Sequence, residues 1–465
     1  MQRWWIAGVL LLSGCAVGPN YHRPAVSAPP QFRSAPDAPG SSVSLADTKW
    51  FDLFHDDKLT ALVRTSLENN YDVRIASARV LEARAQLGIT RSQLFPSLNG
   101  SAGFNSAVPS SLGASTFIPR GTDLSSSFTQ AGFSLGWELD VWGRIRRLTE
   151  SARAQYLASE EGRRGVVTTL VADVSTNYFD LREADLELAI ADKTLDDARN
   201  GLRLTTLRQK GGAATGLDVR QAEQFLYTAT SQIAATQRQI EQSENLLSLL
   251  AARNPQSIER GRALNDFTPP PAVPAGMPSA LLERRPDIRA AEDNLIAANA
   301  DIGAAKAQYF PQISLTGFLG AQSRGLTSLF TGPARDWSFA PGLAVPIFNA
   351  GRIRNQVRLT EAQKQEALAN YEKAIKTAFR EVSDSLVGYR RTAEQREQQE
   401  LFVKALQDSV RLSNLRYRGG LDSYLPVLDA DRNLFQGELQ LARLKRDELV
   451  SVVNLYRALG GGWKE

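Results

Sequence analysis

Apolar positions along this chain follow two different periods. Val167, Val171, Val174, Tyr178 and Leu181 recur at alternating steps of four and three, and Ile375, Phe379, Val382, Leu386, Tyr389 and Ala393 repeat that rhythm. A mean step of about 3.5 is the seam of supercoiling helices. Helical composition continues around each seam with few breakers, over 144–209 and 353–418. At ~1.5 Å rise per residue such helices approach 100 Å, more than an ordinary globular core requires. The second period is two. Phe133, Leu135, Trp137 and Leu139 alternate with Ser134, Gly136 and Glu138. Segment 313–319 alternates likewise with Phe318 as the exception, and Trp337, Phe339, Leu343, Val345 and Ile347 share one face of a fourth strand. Alternating segments of ~10 residues mark transmembrane β-strands, the alternative being a soluble sheet with one buried face. The Ser-, Gly- and Pro-rich stretches 108–125 and 324–335 read as exposed loops.

Four strands cannot close a barrel, and open edges are not tolerated in lipid. The strands must therefore be shared between copies. Two copies would give about eight strands, whose interior side chains fill, whereas three would give about twelve and an open lumen. A trimer is the expectation. No segment beyond the N-terminus offers the ~18 consecutive apolar residues of a spanning helix.

The chain is internally duplicated. Gly143-Arg144-Ile145-Arg146 recurs as Gly351-Arg352-Ile353-Arg354, and Leu207-Arg208-Gln209-Lys210-Gly211-Gly212 as Leu415-Arg416-Tyr417-Arg418-Gly419-Gly420, both 208 positions on (351 − 143; 415 − 207). Phe95-Pro96 matches Phe310-Pro311, 215 positions on (310 − 95). Each half reads as helix, Phe-Pro stop, two strands, very long helix, Gly-Gly turn, helix. The expected organisation is a signal peptide over 1–14, an extended anchored segment over 15–55, a first repeat over 56–267, a Pro-rich linker over 268–278, and a second repeat over 279–465.

Arg3 followed by the short apolar run 4–12 reads as a targeting segment. It ends in Leu12-Ser13-Gly14-Cys15, small residues ahead of the chain's single cysteine, which predicts cleavage before Cys15 and acylation of its thiol. The alternative is an ordinary signal peptide with an incidental thiol. Ala16, in place of the aspartate that favours inner-membrane retention in enterobacterial lipoproteins, suits delivery to the outer membrane.

Composition argues against catalysis and nucleic-acid binding. Net charge is only +4 from 54 basic and 50 acidic residues, and the two signs alternate, as on solvated helix faces. Histidines number two, His22 and His55, and metal-ligand spacing, phosphate loops and nucleophile elbows are absent. Gly211-Gly212 and Gly419-Gly420 each follow a long helix, the place for a C-cap rather than a phosphate loop. No cofactor is expected beyond the lipid on Cys15.

With Cys15 and Val17-Gly18-Pro19-Asn20-Tyr21, Trp137-Glu138-Leu139-Asp140 with Gly143-Arg144, Arg284-Arg285-Pro286-Asp287-Ile288, Phe310-Pro311 and Leu459-Gly460-Gly461-Gly462-Trp463, the whole mature chain resembles the outer-membrane factor (TolC-like) family. It is most similar to the lipoprotein branch, the NodT and OprM-like channels of resistance-nodulation-division (RND) pumps. That resemblance implies a mixed membrane fold: a homotrimer whose twelve-stranded transmembrane β-barrel continues into a periplasmic α-helical barrel. It implies a passive exit channel in the outer membrane, partnered by a periplasmic membrane-fusion adaptor and an inner-membrane pump. It also implies a periplasmic gate at the two Gly-Gly turns. Asp218 and Tyr417 match a pair in which a phenol donates to a carboxylate, and Asp429 matches an acidic ring; helix capping is the plainer role for these aspartates. Asp422 stands where the family has a basic residue and Pro426 where it has a second ring aspartate, departures that bear on the lock. The alternative reading is a lipid-anchored trimeric coiled-coil scaffold or adhesin without transport.

Overall fold

A computed structural model describes residues 16–33, 44–47, 50, 54–108, 110, 125–268 and 276–461. Cys15, the signal peptide, Gly462-Trp463 and most of the 108–125 loop and of the 268–278 linker lie outside the described residues. Helices α1 (Asp57–Asn69) and α2 (Tyr71–Ser92) precede strands β1 (Ser97–Ala107) and β2 (Ser126–Leu139), then helices α3 (Arg144–Lys210) and α4 (Gly216–Leu250). A short α5 (Leu281–Arg284) and α6 (Pro286–Ala307) lead into β3 (Gln312–Ser323) and β4 (Arg335–Ala344), followed by α7 (Arg352–Arg418) and α8 (Leu425–Ala458). Helices α3 and α7 hold 67 residues each, as the uninterrupted 3.5-residue pattern predicts. No helix among the described residues is long and apolar enough to cross a membrane.

The chain divides into two compact units. One draws on Met1–Ala25, Val80–Ser159 and Ala291–Tyr371, the other on Val26–Arg79, Glu160–Ala290 and Glu372–Glu465. Each takes residues from both sequence repeats.

The first unit carries a four-stranded antiparallel sheet in the order β1-β2-β3-β4. Its register brings the alternation of all four strands onto common faces. Leu98, Leu135, Gly317 and Phe339 fall in one cross-strand row, and Gly100, Phe133, Leu319 and Trp337 in the next. This face is apolar and exposed; Trp337 is 74% exposed. The other face carries Asn99, Ser134, Gln130, Gln322, Thr316 and Ser338. Phe318, the exception to the alternation, has a physical reason: its Cζ lies where a Cβ on Gly132 or Gly320 would fall, 2.6 and 2.7 Å away. These two glycines face each other across β2 and β3. The ring fills the notch that their missing side chains leave.

The fourth strand is shorter than its alternation predicts. β4 ends at Ala344, leaving Val345 and Ile347 beyond it, the latter 94% exposed. Pro346 explains the stop, since it has no N–H for the ladder. Pro341 is tolerated within β4 because β4 is an edge strand.

Where β2 meets α3, the Trp137–Arg144 motif builds a corner. The Asp140 carboxylate accepts from the backbone N–H groups of Ile145 and Arg146, both at 2.9 Å, satisfying two orphan donors of α3. Arg144 pairs in bidentate fashion with Glu138 at 2.9 and 2.8 Å. Trp142 stacks on Phe310 with centroids 4.8 Å apart and donates to the carbonyl of Pro311. The Val17–Tyr21 motif is a strap across α3 and α6. Arg147 donates to the Val17 carbonyl and to Asn20, Asn299 to the Pro19 carbonyl, and Tyr21 and Arg23 both reach Glu292. Gly18, at φ +104°, lies so close to Gly303 that a Cβ would sit 2.4 Å from its Cα.

In the second unit the seam residues Val171, Val174, Tyr178, Leu181, Ile375, Val382 and Leu386 are buried. Asp56 caps α1 and also accepts from Tyr178 Oη at 3.1 Å and the Arg262 N–H at 2.9 Å. Arg285, only 8% exposed, is held by Asp287 and Glu381 and donates to the Ala458 carbonyl. Pro286 opens α6, where its missing N–H costs nothing.

A Cβ at Gly320 would stand 2.3 Å from the backbone oxygen of Ala131, so β2 and β3 must part to admit it. Gly320→Ala is expected to cost about 1–3 kcal/mol, as overpacking does. A lowered thermal midpoint by circular dichroism checks this, with Gly103→Ala, where nothing lies within 4 Å, as the control.

Candidate gate at the paired helical turns

The Gly-Gly turns are closed by matching hydrogen bonds. At the first, the N–H groups of Gly211, Gly212 and Ala213 donate to the carbonyls of Leu207, Gln209 and Arg208 at 3.1, 3.0 and 2.8 Å. At the second, those of Gly419, Gly420 and Leu421 donate to Leu415, Tyr417 and Arg416, each at 3.0 Å. Gly212 and Gly420 share φ +74°, the left-handed conformation that ends a helix and favours glycine. Both turns belong to the second compact unit.

Beneath them lies a core of Ala191, Ala198, Phe225, Tyr417, Tyr424 and Leu428, with further apolar neighbours. The Tyr417 and Tyr424 rings are 5.4 Å apart. The Tyr424 hydroxyl occupies the notch at Gly201 of α3, where a Cβ would be 2.9 Å away.

The aspartates singled out by sequence take local roles in this geometry. Asp218 completes a capping box: its carboxylate accepts from the N–H and hydroxyl of Thr215 at 2.8 and 2.9 Å, and its own N–H donates to the Thr215 hydroxyl. Asp422 is paired with Arg416 at 2.5 and 3.1 Å, and that hydrogen bond holds its carboxyl below the usual range. Asp429 is exposed and accepts from Asn433 at 3.3 Å. Tyr417 is 4% exposed, and its hydroxyl has no hydrogen-bond partner among the described residues. The phenol–carboxylate bond expected between Tyr417 and Asp218 is therefore not formed within the chain. The capping box already engages Asp218, and Tyr417 turns its ring into the apolar core.

What Tyr417 does meet is Arg208. The guanidinium lies 4.1 Å from the centroid of its ring, and the same group donates to the Tyr417 and Arg418 carbonyls at 3.0 and 3.4 Å. Sequence reasoning passed over Arg208; the one signal for it was that it is the repeat-equivalent of Arg416, the partner of Asp422. Asp431 was missed as well. Burial, and then the charge of Asp197, push its carboxyl up to about 6. Tyr424 is pushed up to about 12 by burial and by Asp431.

An open antiparallel sheet with an exposed apolar face, on a chain carrying paired helices of this length, defines a membrane-channel protein. The chain belongs to the outer membrane efflux protein family, whose model matches residues 62–253 and 277–461. It is 40% identical over 461 residues to the solvent efflux pump outer membrane protein SrpC of Pseudomonas putida, covering 98% of this chain and 97% of the relative. It is 34% identical over 457 residues to the cation efflux system protein CusC of Escherichia coli, covering 98% and 97%. Among solved structures, the open state of the Neisseria gonorrhoeae MtrE outer membrane channel superposes with a TM-score of 0.86 at 31% identity, covering 97% of this chain and 99% of that one. This protein is accordingly an outer-membrane efflux channel, TolC-like in kind.

Two expectations follow. Tyr417→Phe removes a hydroxyl that makes no hydrogen bond, so protection of the turn against hydrogen exchange stays unchanged or rises, whereas Tyr417→Ala empties the core and costs about 3–5 kcal/mol. The second concerns pH. Asp431 has a folded pKa raised above that of the unfolded chain, so the folded state binds the extra proton between about pH 4 and 6. Its contribution is most favourable below that window and is lost as pH rises through it. Asp431→Asn should reduce the loss of turn protection between pH 4.5 and 7.5, read by hydrogen exchange corrected for intrinsic rates.

Proposed function

We propose that three copies of this chain form one continuous exit duct. Their sheets would pair edge to edge, β4 of one copy against β1 of the next, into a barrel of about twelve strands. The observation that carries this reading is the sheet: its apolar face is exposed and, among the described residues, β1 and β4 each lack a neighbour on one side. The long helices continue the duct as a helical barrel through the periplasm. There the Gly-Gly turns meet a membrane-fusion adaptor and, through it, an inner-membrane pump of the RND type, which supplies the energy. The channel conducts passively and does no chemistry of its own. Cys15 carries the lipid anchor, and no other cofactor is needed. Asp218, Tyr417, Asp422 and Asp429 belong to the gate region, with Asp429 from three copies offering a charged ring.

SrpC is named for solvents and CusC for cations, so kinship supports more than one cargo. The sheet's polar face presents mostly hydroxyls, amides and glycines, with Glu138 occupied by Arg144 and Gln312. Such a face suits a permissive lumen that leaves selection to the pump.

Native mass spectrometry of the detergent-solubilised protein is expected to give a homotrimer; a monomer as sole species would overturn the reading. Labelled palmitate is expected in wild type and absent from Cys15→Ser, and equal label in both would remove Cys15 as the anchor.

A further inference from the structure

The sequence duplication makes Arg208 and Arg416 equivalent, yet the structure uses them differently. Arg416 stays within its own turn, bound in bidentate fashion to Asp422. Arg208 leaves its turn. Its guanidinium lies over the Tyr417 ring and donates to the last two carbonyls of α7, those of Tyr417 and Arg418. A cation at this place answers three demands together. It adds a donor to the last two carbonyls of α7, of which that of Tyr417 also accepts from the Gly420 N–H. It complements the negative end of the α7 dipole. It also gains from the face of the ring. Among the described residues no acidic group pairs with it, so backbone and π-face are what engage it. The source of the asymmetry is legible one residue on. The first repeat has Gln209 where the second has Tyr417, so the second turn alone presents an aromatic face. The first turn also lacks the Asp422 equivalent that would hold its arginine at home: 208 positions before Asp422 (422 − 208) stands Ala214.

We infer that Arg208 is the positioning residue of the gate: a one-way clamp by which the first helical turn holds the end of α7, so that opening requires the guanidinium to leave Tyr417. The inference rests on the channel reading above and adds to it the residue that holds the turns together. The clamp acts through the ring and the carbonyls of Tyr417, not through its hydroxyl. Asp218 has no part in it.

Purified full-length protein in planar bilayers tests the clamp by open probability, with unitary conductance and thermal midpoint as companions. Arg208→Ala is expected to raise open probability about tenfold, equivalent to ~1.4 kcal/mol, while unitary conductance and midpoint stay as in wild type. Arg208→Lys keeps the charge without the planar fork and should fall between the two. Arg416→Ala, which loses only the local pair with Asp422, should match wild type. Wild-type open probability in Arg208→Ala, or an increase of equal size in Arg416→Ala, would overturn the clamp and leave the channel reading standing. If wild type and every variant insert as trimers and none passes ions, the channel reading fails and takes the clamp with it.

Discussion

Backbone hydrogen bonding at the edges of the sheet is the constraint on which the rest depends. A β-strand in lipid cannot leave a row of N–H and C=O groups bare, because no water is present to pair them. Among the described residues one chain contributes four strands and two open edges. The apolar rows, among them Leu98–Leu135–Phe339 and Phe133–Leu319–Trp337, face away from any core in the single chain. Under the proposed trimer, edge pairing between copies resolves both demands together.

The corner between sheet and helix transmits that arrangement to α3. Asp140 caps the helix, Glu138 fixes Arg144, and Trp142 locks onto Phe310-Pro311 from the other repeat. The strand therefore enters the helix at a defined angle. The strap over Val17–Arg23 binds the same place, through Arg147 on α3 and Asn299 and Glu292 on α6. Residue 16 is thus held at Gly143, whose Cβ would lie 2.8 Å from the Ala16 Cα.

At the turns the balance differs. Their backbone is closed by short, local hydrogen bonds, Arg208 reaches from the first to the Tyr417 ring and carbonyl of the second, and the core between them holds the Tyr417 hydroxyl, without a hydrogen-bond partner among the described residues.

Periodicity and breakers were sufficient to read the elements. The 3.5-residue seam marked α3 and α7 to within a residue at each end, and the Gly-Gly turns were recognisable as C-caps because left-handed glycine is a local, backbone property. Alternation found β2, β3 and β4 and even the place where it fails, Phe318, but it did not mark β1 over Ser97–Ala107. It overran β4 because a period of two continues past Pro346 while the ladder cannot. Only tertiary structure decided what the side chains at the turns do. Asp218 had two chemically sound partners, a nearby threonine and a remote tyrosine, and sequence carries no distance by which to choose. Arg208 and Arg416 are identical in type and equivalent in register; the difference between them arises from which aromatic ring and which carboxylate the fold brings within reach.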